Sequence, residues 1–137
     1  MIQPKNVLLV EDNIDDINLI QRAVKKSQLP INLEILRDGE TAVNYFSKNS
    51  NEFVFPKFVI LDLNLPKISG IEVLKFIRNE PMYKKLPIVI FSSSHEAKDI
   101  DKCYEYCANS YIVKPIDYDK FQETIISIAK YWFLFNE

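Results

Sequence analysis

The sequence predicts an α/β domain on a doubly wound, five-stranded parallel sheet, and two observations carry that expectation. Five short runs rich in Val, Ile, Leu and Phe alternate with five longer segments of helical periodicity, in the order βαβαβαβαβα. The first, third and fourth runs are apolar throughout rather than alternating, as in strands covered by helices on both faces.

The first strand is 7–10. Ile14, Ile17, Ile20 and Val24 then mark one helical stripe, stopped by Gln28-Leu29-Pro30. The second strand, 33–36, ends in Arg37-Asp38-Gly39, which reads as a plain turn. Residues 41–48 form a short helix carrying Val43 and Phe46, and 49–57 is a rather long connection. After the third strand, 58–61, Ile71, Leu74 and Ile77 form a stripe that Asn79-Glu80-Pro81 breaks. The fourth strand is 88–91, followed by a helix over 97–106 with a weaker apolar face. The fifth strand is 111–113, and Phe121, Ile125, Ile128 and Trp132 mark the last helix. The parallel connections require right-handed crossovers.

With 137 residues, 47% hydrophobic and 26% charged, the chain reads as one domain, 1–137, with no room for an output domain. The net charge is −2 and no basic tract exceeds two residues, which argues against nucleic acid as a partner. No apolar run approaches the roughly 18 residues of a membrane span, and no signal peptide fits, so a cytoplasmic location is expected. Cys103 and Cys107 fall i,i+4 in an expected helix and read as small hydrophobes. The single histidine, His95, is too little for zinc and reads as a solvated loop residue. Gly39 and Gly70 are the only glycines, so neither G-x-G-x-x-G nor G-x-x-x-x-G-K-[ST] can be written.

In an open doubly wound sheet, ligands bind beyond the carboxyl ends of the strands. There the chain places Glu11-Asp12-Asn13 after the first strand, Asp62 after the third, Ser92-Ser93-Ser94 after the fourth and Lys114-Pro115 after the fifth. Three carboxylates close together repel one another unless a positive charge lies among them. A hard divalent cation with oxygen ligands, most naturally Mg²⁺, resolves that conflict. Lys114 adds an ammonium and Ser92 a hydroxyl, so a phosphoryl group would meet cations, a donor and a carboxylate nucleophile. Asp15 and Asp16 read as favourable charges on the first turn of a helix, and Ser94 as a loop and cap residue.

Val10-Glu11-Asp12-Asn13, Asp62-Leu63-Asn64-Leu65-Pro66 with Gly70 eight residues after Asp62, Ser92, and Tyr111-Ile112-Val113-Lys114-Pro115 together resemble the receiver domain of two-component response regulators. The resemblance covers essentially the whole chain. It implies the flavodoxin-like receiver fold with strand order 2-1-3-4-5. It also implies that Asp62 takes a phosphoryl group from a phosphohistidine on a histidine kinase or phosphotransfer protein. Asp12, Asp62 and the Asn64 backbone carbonyl would hold Mg²⁺, with Glu11 acting through a bound water. Lys114 would pair with the phosphoryl oxygens, Ser92 would hydrogen-bond one of them, and Tyr111 would be the switch aromatic. In the family the Lys-Pro bond is often cis. A receiver is not an enzyme in the usual sense but a phosphoacceptor that catalyses its own phosphorylation and dephosphorylation, acting on a separate downstream target.

The wording of 62–67 and 108–111 is similar to stand-alone regulators that partner phytochrome-type histidine kinases. The chain departs from the family pattern in three places. Glu11 stands for the first Asp, Ser92 for Thr, and Ala108-Asn109 for Gly-Ala, where Asn is expected to tolerate a left-handed backbone. An FMN protein is disfavoured because Glu11-Asp12 would repel phosphate, and an aspartate-nucleophile phosphatase because Asn64 occupies its second Asp position. A degenerate receiver acting as a phosphorylation-independent scaffold is the remaining alternative; retention of Asp12, Asp62, Ser92 and Lys114 argues against it. Finally, Tyr131-Trp132-Phe133-Leu134-Phe135 cannot all face inward on one helix. With Tyr104 and Tyr106 on the family's usual partner surface, a homodimer through the C-terminal helix is expected.

Overall fold

The computed structural model describes residues 3–47 and 55–137. Its strands are β1 (Lys5–Val10), β2 (Ile31–Leu36), β3 (Val59–Leu61), β4 (Ile88–Ser92) and β5 (Ser110–Val113). The helices are α1 (Ile14–Ser27), α2 (Gly39–Ser47), α3 (Gly70–Asn79), α4 (Ala97–Glu105) and α5 (Tyr118–Lys130). All strands pair in parallel in the order β2-β1-β3-β4-β5, as the resemblance implied.

Strand alternation divides the core into two layers. Leu8, Val10, Val59, Leu61, Ile88 and Ile90 point to one face and pack with Phe46, Leu74, Ile77 and Cys103 from α2, α3 and α4. Val7, Leu9, Ile60, Val89 and Phe91 point to the other and pack with Ile17, Ile20, Phe121 and Ile125 from α1 and α5. These side chains are at most 4% exposed, so each of the Val, Leu, Ile and Phe residues stabilises the fold by roughly 1.5–3 kcal/mol. β2 lies at the sheet edge and alternates exposed with half-buried positions, which is why its apolar signal is weaker.

The helix ends follow local chemistry. Asn13 caps α1 by accepting from the Asp16 backbone N–H, and Gln28 ends it in the left-handed conformation (φ 61°). Ile14 is exposed, so the stripe on α1 starts at Ile17. The Asp38 carboxylate accepts from the Thr41 backbone N–H (2.7 Å) and hydroxyl (3.0 Å) and starts α2 at Gly39, two residues before the expected boundary. Lys48 and residues 49–54 of the expected connection lie outside the described residues.

Four sequence expectations need correction. Gly39 is not a turn glycine but the first residue of α2, buried so closely that a Cβ would collide with the Ile68 carbonyl. Cys107 lies past the end of α4 rather than in it, and it, not Asn109, is left-handed (φ 66°). Asn109 instead accepts through Oδ1 from the Ile88 backbone N–H (2.8 Å) and from Arg78 (2.9 Å), joining the start of β4 to α3. The Lys114–Pro115 bond is trans, as is every other peptide bond among the described residues. Trp132, by contrast, packs half-buried against the core beside Ile128, as its place on the stripe predicts, and the π turn over Tyr131–Phe135 adds Phe133 to that core, five residues after Ile128. Tyr131, Leu134 and Phe135 remain exposed, as the run of apolar residues required.

Gly70 starts α3 where a Cβ would strike the Asp62 carbonyl and the Leu63 backbone. Gly70→Ala is therefore expected to lower the unfolding free energy by about 2 kcal/mol or more in urea titration. Unchanged stability would show that the segment between Asp62 and Gly70 yields freely.

Candidate functional site

Register brings the strand ends together. Val10 pairs with Leu61 and Leu61 with Ile90, so Glu11 and Asp62 both lie one step beyond the paired rows. The Asp62 backbone N–H still donates to the Val10 carbonyl (3.0 Å), and that of Lys114 to the Ser92 carbonyl (2.8 Å). The side chains thus leave a backbone that is hydrogen-bonded to its last residue.

The Lys114 ammonium is the centre of the cluster. Its Nζ lies 2.8 Å from Glu11 Oε1, 2.7 Å from Asp16 Oδ2 and 3.3 Å from Asp62 Oδ2. Its side chain is 9% exposed, against 1% for Glu11 and 6% for Asp62. Asp62 Oδ1 accepts from the Leu63 backbone N–H (2.8 Å), so its two oxygens are engaged on different sides. Asp12 is half-exposed, and its carboxylate, with those of Glu11 and Asp62, offers oxygens all within 4.8 Å of one another. Asn64 is exposed in the loop after Asp62.

Burial, and after it the neighbouring Asp62 charge, raise the Glu11 pKa from 4.5 to about 7 against the lowering pull of Lys114. For Lys114, burial pulls the pKa down. The hydrogen bonds it donates to Asp16 and Glu11 and the charges of Asp62 and Glu11 outweigh that, so the ammonium is held above its ordinary range. The arrangement is a carboxylate-rich, all-oxygen pocket with one tied cation, a donor set that suits a hard divalent metal ion.

Ser92 is fully buried, its Oγ accepting from the Ser94 backbone N–H (3.3 Å). Half-buried Tyr111 donates its hydroxyl to the Ser94 carbonyl (2.8 Å), while its backbone N–H donates to the Tyr104 hydroxyl (3.0 Å). Ser94 in turn donates to Asp99 Oδ2 at the start of α4 (2.6 Å). Ser92 and Tyr111 therefore share one loop residue as a neighbour. His95 is exposed, away from any metal-ligating cluster among the described residues. The residue that sequence reasoning missed is Asp16, read only as a helix-start charge. The available signal was its place on the first turn after the acidic strand end, the turn that overhangs the sheet edge.

Comparison with known proteins agrees with this geometry. A family model described as "Response regulator receiver domain" matches residues 7–126. The probable methanogenesis regulatory protein FilR2 of Methanothrix harundinacea is 34% identical, over 97% of this chain and 86% of its own length. The response regulator Rcp1 of Synechocystis is 35% identical over 94% of this chain and 89% of its own. Its Mn²⁺-bound crystal structure superposes with a TM-score of 0.90 over 98% of each chain. The phosphorylated cyanobacterial phytochrome response regulator RcpA gives 0.90, at 35% identity, over 97% of this chain and 96% of its own.

The raised Glu11 pKa has a measurable sign. Between about 4.5 and about 7 the folded protein binds a proton that the unfolded chain has released, so stability falls as pH rises through that window. The Lys114 shift contributes nothing there, since that group titrates far above it. Metal-free protein is expected to lose roughly 1–3 kcal/mol of unfolding free energy between about pH 5 and 8, and Glu11→Gln to flatten the slope. Urea titrations across that range check this, and a flat wild-type profile would refute it.

Proposed function

The chain belongs to the response regulator receiver domain family, and on that premise we propose that it is a phosphorylation-controlled switch with Asp62 as phosphoacceptor. The observation that carries this reading is the Asp62 carboxylate, buried at the end of β3, sharing the Lys114 ammonium with Glu11 and lying beside Asp12.

In the transfer, an Asp62 oxygen attacks the phosphorus of a phosphohistidine on a histidine kinase or phosphotransfer protein. The P–N bond breaks, the imidazole leaves with the electron pair, and an acyl phosphate forms. Water attack on that phosphorus later returns the carboxylate and inorganic phosphate, so the protein is a signalling phosphoacceptor that also resets itself. Asp12, Asp62 and the Asn64 carbonyl would hold Mg²⁺, with Glu11 close enough to act through a bound water. When bound, the cation supplies neutralisation of the phosphoryl charge. The Mn²⁺-bound structure of Rcp1 supports a divalent-metal role for this donor set.

Lys114 reaches Asp62 by its longest contact, the one most readily passed to a phosphoryl oxygen. The Ser92 hydroxyl stands at the end of β4 to donate to another. Movement of Ser92 would disturb Ser94, and through it the Tyr111 hydroxyl and α4. That is the switch by which phosphorylation would alter the face of α4, β5 and α5.

The similarity to Rcp1 and RcpA supports a phytochrome-type kinase as donor. The chain is read as a cytoplasmic receiver domain that passes its signal to a downstream protein. No helix among the described residues is long and apolar enough to cross a membrane. A homodimer through the C-terminal helix is supported by exposed Tyr131, Leu134 and Phe135 and by a groove of about 550 Å³ floored by Ile112, Ile128 and Trp132.

Incubation with acetyl phosphate and Mg²⁺ is expected to add the mass of one phosphoryl group, and the adduct should vanish with EDTA or in Asp62→Asn. An unmodified wild type would favour the scaffold reading. In ultracentrifugation, Leu134→Asp combined with Phe135→Asp is expected to abolish a concentration-dependent dimer. Monomer behaviour of the wild type at all concentrations, with and without a phosphoryl mimic, would remove the dimer from the proposal.

A further inference from the structure

We propose that Asp16 is a positioning residue for phosphoryl transfer: it holds the Lys114 ammonium in place beside Asp62. The inference rests on the reading of Asp62 as phosphoacceptor.

Four hydrogen bonds close a ring around the start of α1. The Asn13 backbone N–H donates to Glu11 Oε2 (3.2 Å), and the Asp16 backbone N–H donates to Asn13 Oδ1 (3.0 Å). Lys114 Nζ then donates to Asp16 Oδ2 (2.7 Å) and pairs with Glu11 Oε1 (2.8 Å). Asp16 is thus fixed at its backbone by the helix cap and at its carboxylate by the lysine, and the cap is itself fixed by Glu11.

An ammonium has three protons, and here three carboxylates take them. The two shortest contacts go to the ring and the longest, 3.3 Å, to Asp62. When an Asp62 oxygen becomes part of an acyl phosphate, the third N–H is the one to redirect toward a phosphoryl oxygen, while the other two stay anchored. Without Asp16, a compact charge on a flexible four-carbon stem would keep Glu11 as its one anchor apart from the reacting Asp62 itself. Asp16 also lies on α1 while Lys114 follows β5, so the contact fixes the ammonium between two elements rather than within one.

This role is separable from a merely electrostatic one. A carboxylate that acted only by its charge would repel an anionic phosphodonor, and removing it would lower the half-saturating donor concentration without slowing transfer. A positioning carboxylate leaves the opposite mark. Asp16→Ala is expected to slow saturated phosphorylation by acetyl phosphate about tenfold, with no rise in half-saturating concentration. Asp16→Asn, which keeps an oxygen acceptor, is expected to recover most of the rate, and Asp16→Glu, one methylene longer, little of it.

A readout independent of phosphorylation is the ¹⁵N–¹H signal of the Lys114 ammonium in metal-free protein, identified by its absence from Lys114→Met. It should be visible through slow exchange in the wild type and Asp16→Asn and lost in Asp16→Ala. Wild-type transfer and a persistent ammonium signal in Asp16→Ala would overturn the proposal. So would a loss of rate that Asp16→Asn shares in full while remaining folded by circular dichroism. If the wild type takes no phosphoryl group, the reading of Asp62 fails, while the ammonium signal still decides whether Asp16 holds Lys114.

Discussion

Carboxylates buried at the end of a sheet repel one another and have lost much of their water, an arrangement that persists only with a cation among them. In this protein that cation is the Lys114 ammonium, and much of the molecule is organised by its reach. The parallel register sets how far Glu11 and Asp62 project beyond the sheet, and α1 begins where it must for Asp16 to arrive. Such an ionic cluster adds little net stability, because desolvation offsets most of the attraction. Its contribution is geometric. The stability comes from the two apolar layers beneath, where side chains from β1, β3 and β4 are almost fully enclosed.

Much of this was legible in the sequence, for a physical reason. A strand buried on both faces cannot hide its identity, since every position must be apolar, and β1, β3 and β4 announce themselves that way. Because their ends lie on one edge, Glu11, Asp62 and Ser92 could be collected simply as the residues that follow. Lys114 could be added the same way from the weaker fifth strand. What stayed hidden depends on contacts between distant parts of the chain. Asp16 and Lys114 are 98 residues apart, and no periodicity couples them. Asn109 looked like a permissive loop residue, but its amide oxygen serves a strand and an arginine from two other elements. The π turn after Lys130 likewise escapes a rule that assumes 3.6 residues per turn: extrapolation finds Trp132, which packs on the core, but not Phe133, which the widened turn buries beside it.

The site is connected to the surface by a short path. The Ser92 hydroxyl, the Ser94 backbone and the Tyr111 hydroxyl are successive contacts, and the Tyr104 hydroxyl takes the N–H of the same tyrosine from the side of α4. β5 is an edge strand, so that N–H would otherwise face solvent or a partner's carbonyl. One aromatic residue therefore carries contacts to the β4–α4 loop, to α4 and to the sheet edge.

The two glycines show how the loop bearing Asp62 is bounded. Gly70 meets the Asp62 carbonyl and Gly39 the Ile68 carbonyl, so both press backbone against the segment that joins β3 to α3. Neither has a positive φ, whereas Gln28, Lys67 and Cys107 adopt left-handed conformations with full side chains. Glycine in this chain is thus a spacer of zero thickness rather than a joint. In the vocabulary of mechanical fits, the loop bearing Asp62 is a shim between two helix ends, with its tolerance set by a missing methyl on each side. Homologues with a bulkier residue at either position would have to reseat a whole helix to keep the same carboxylate in place.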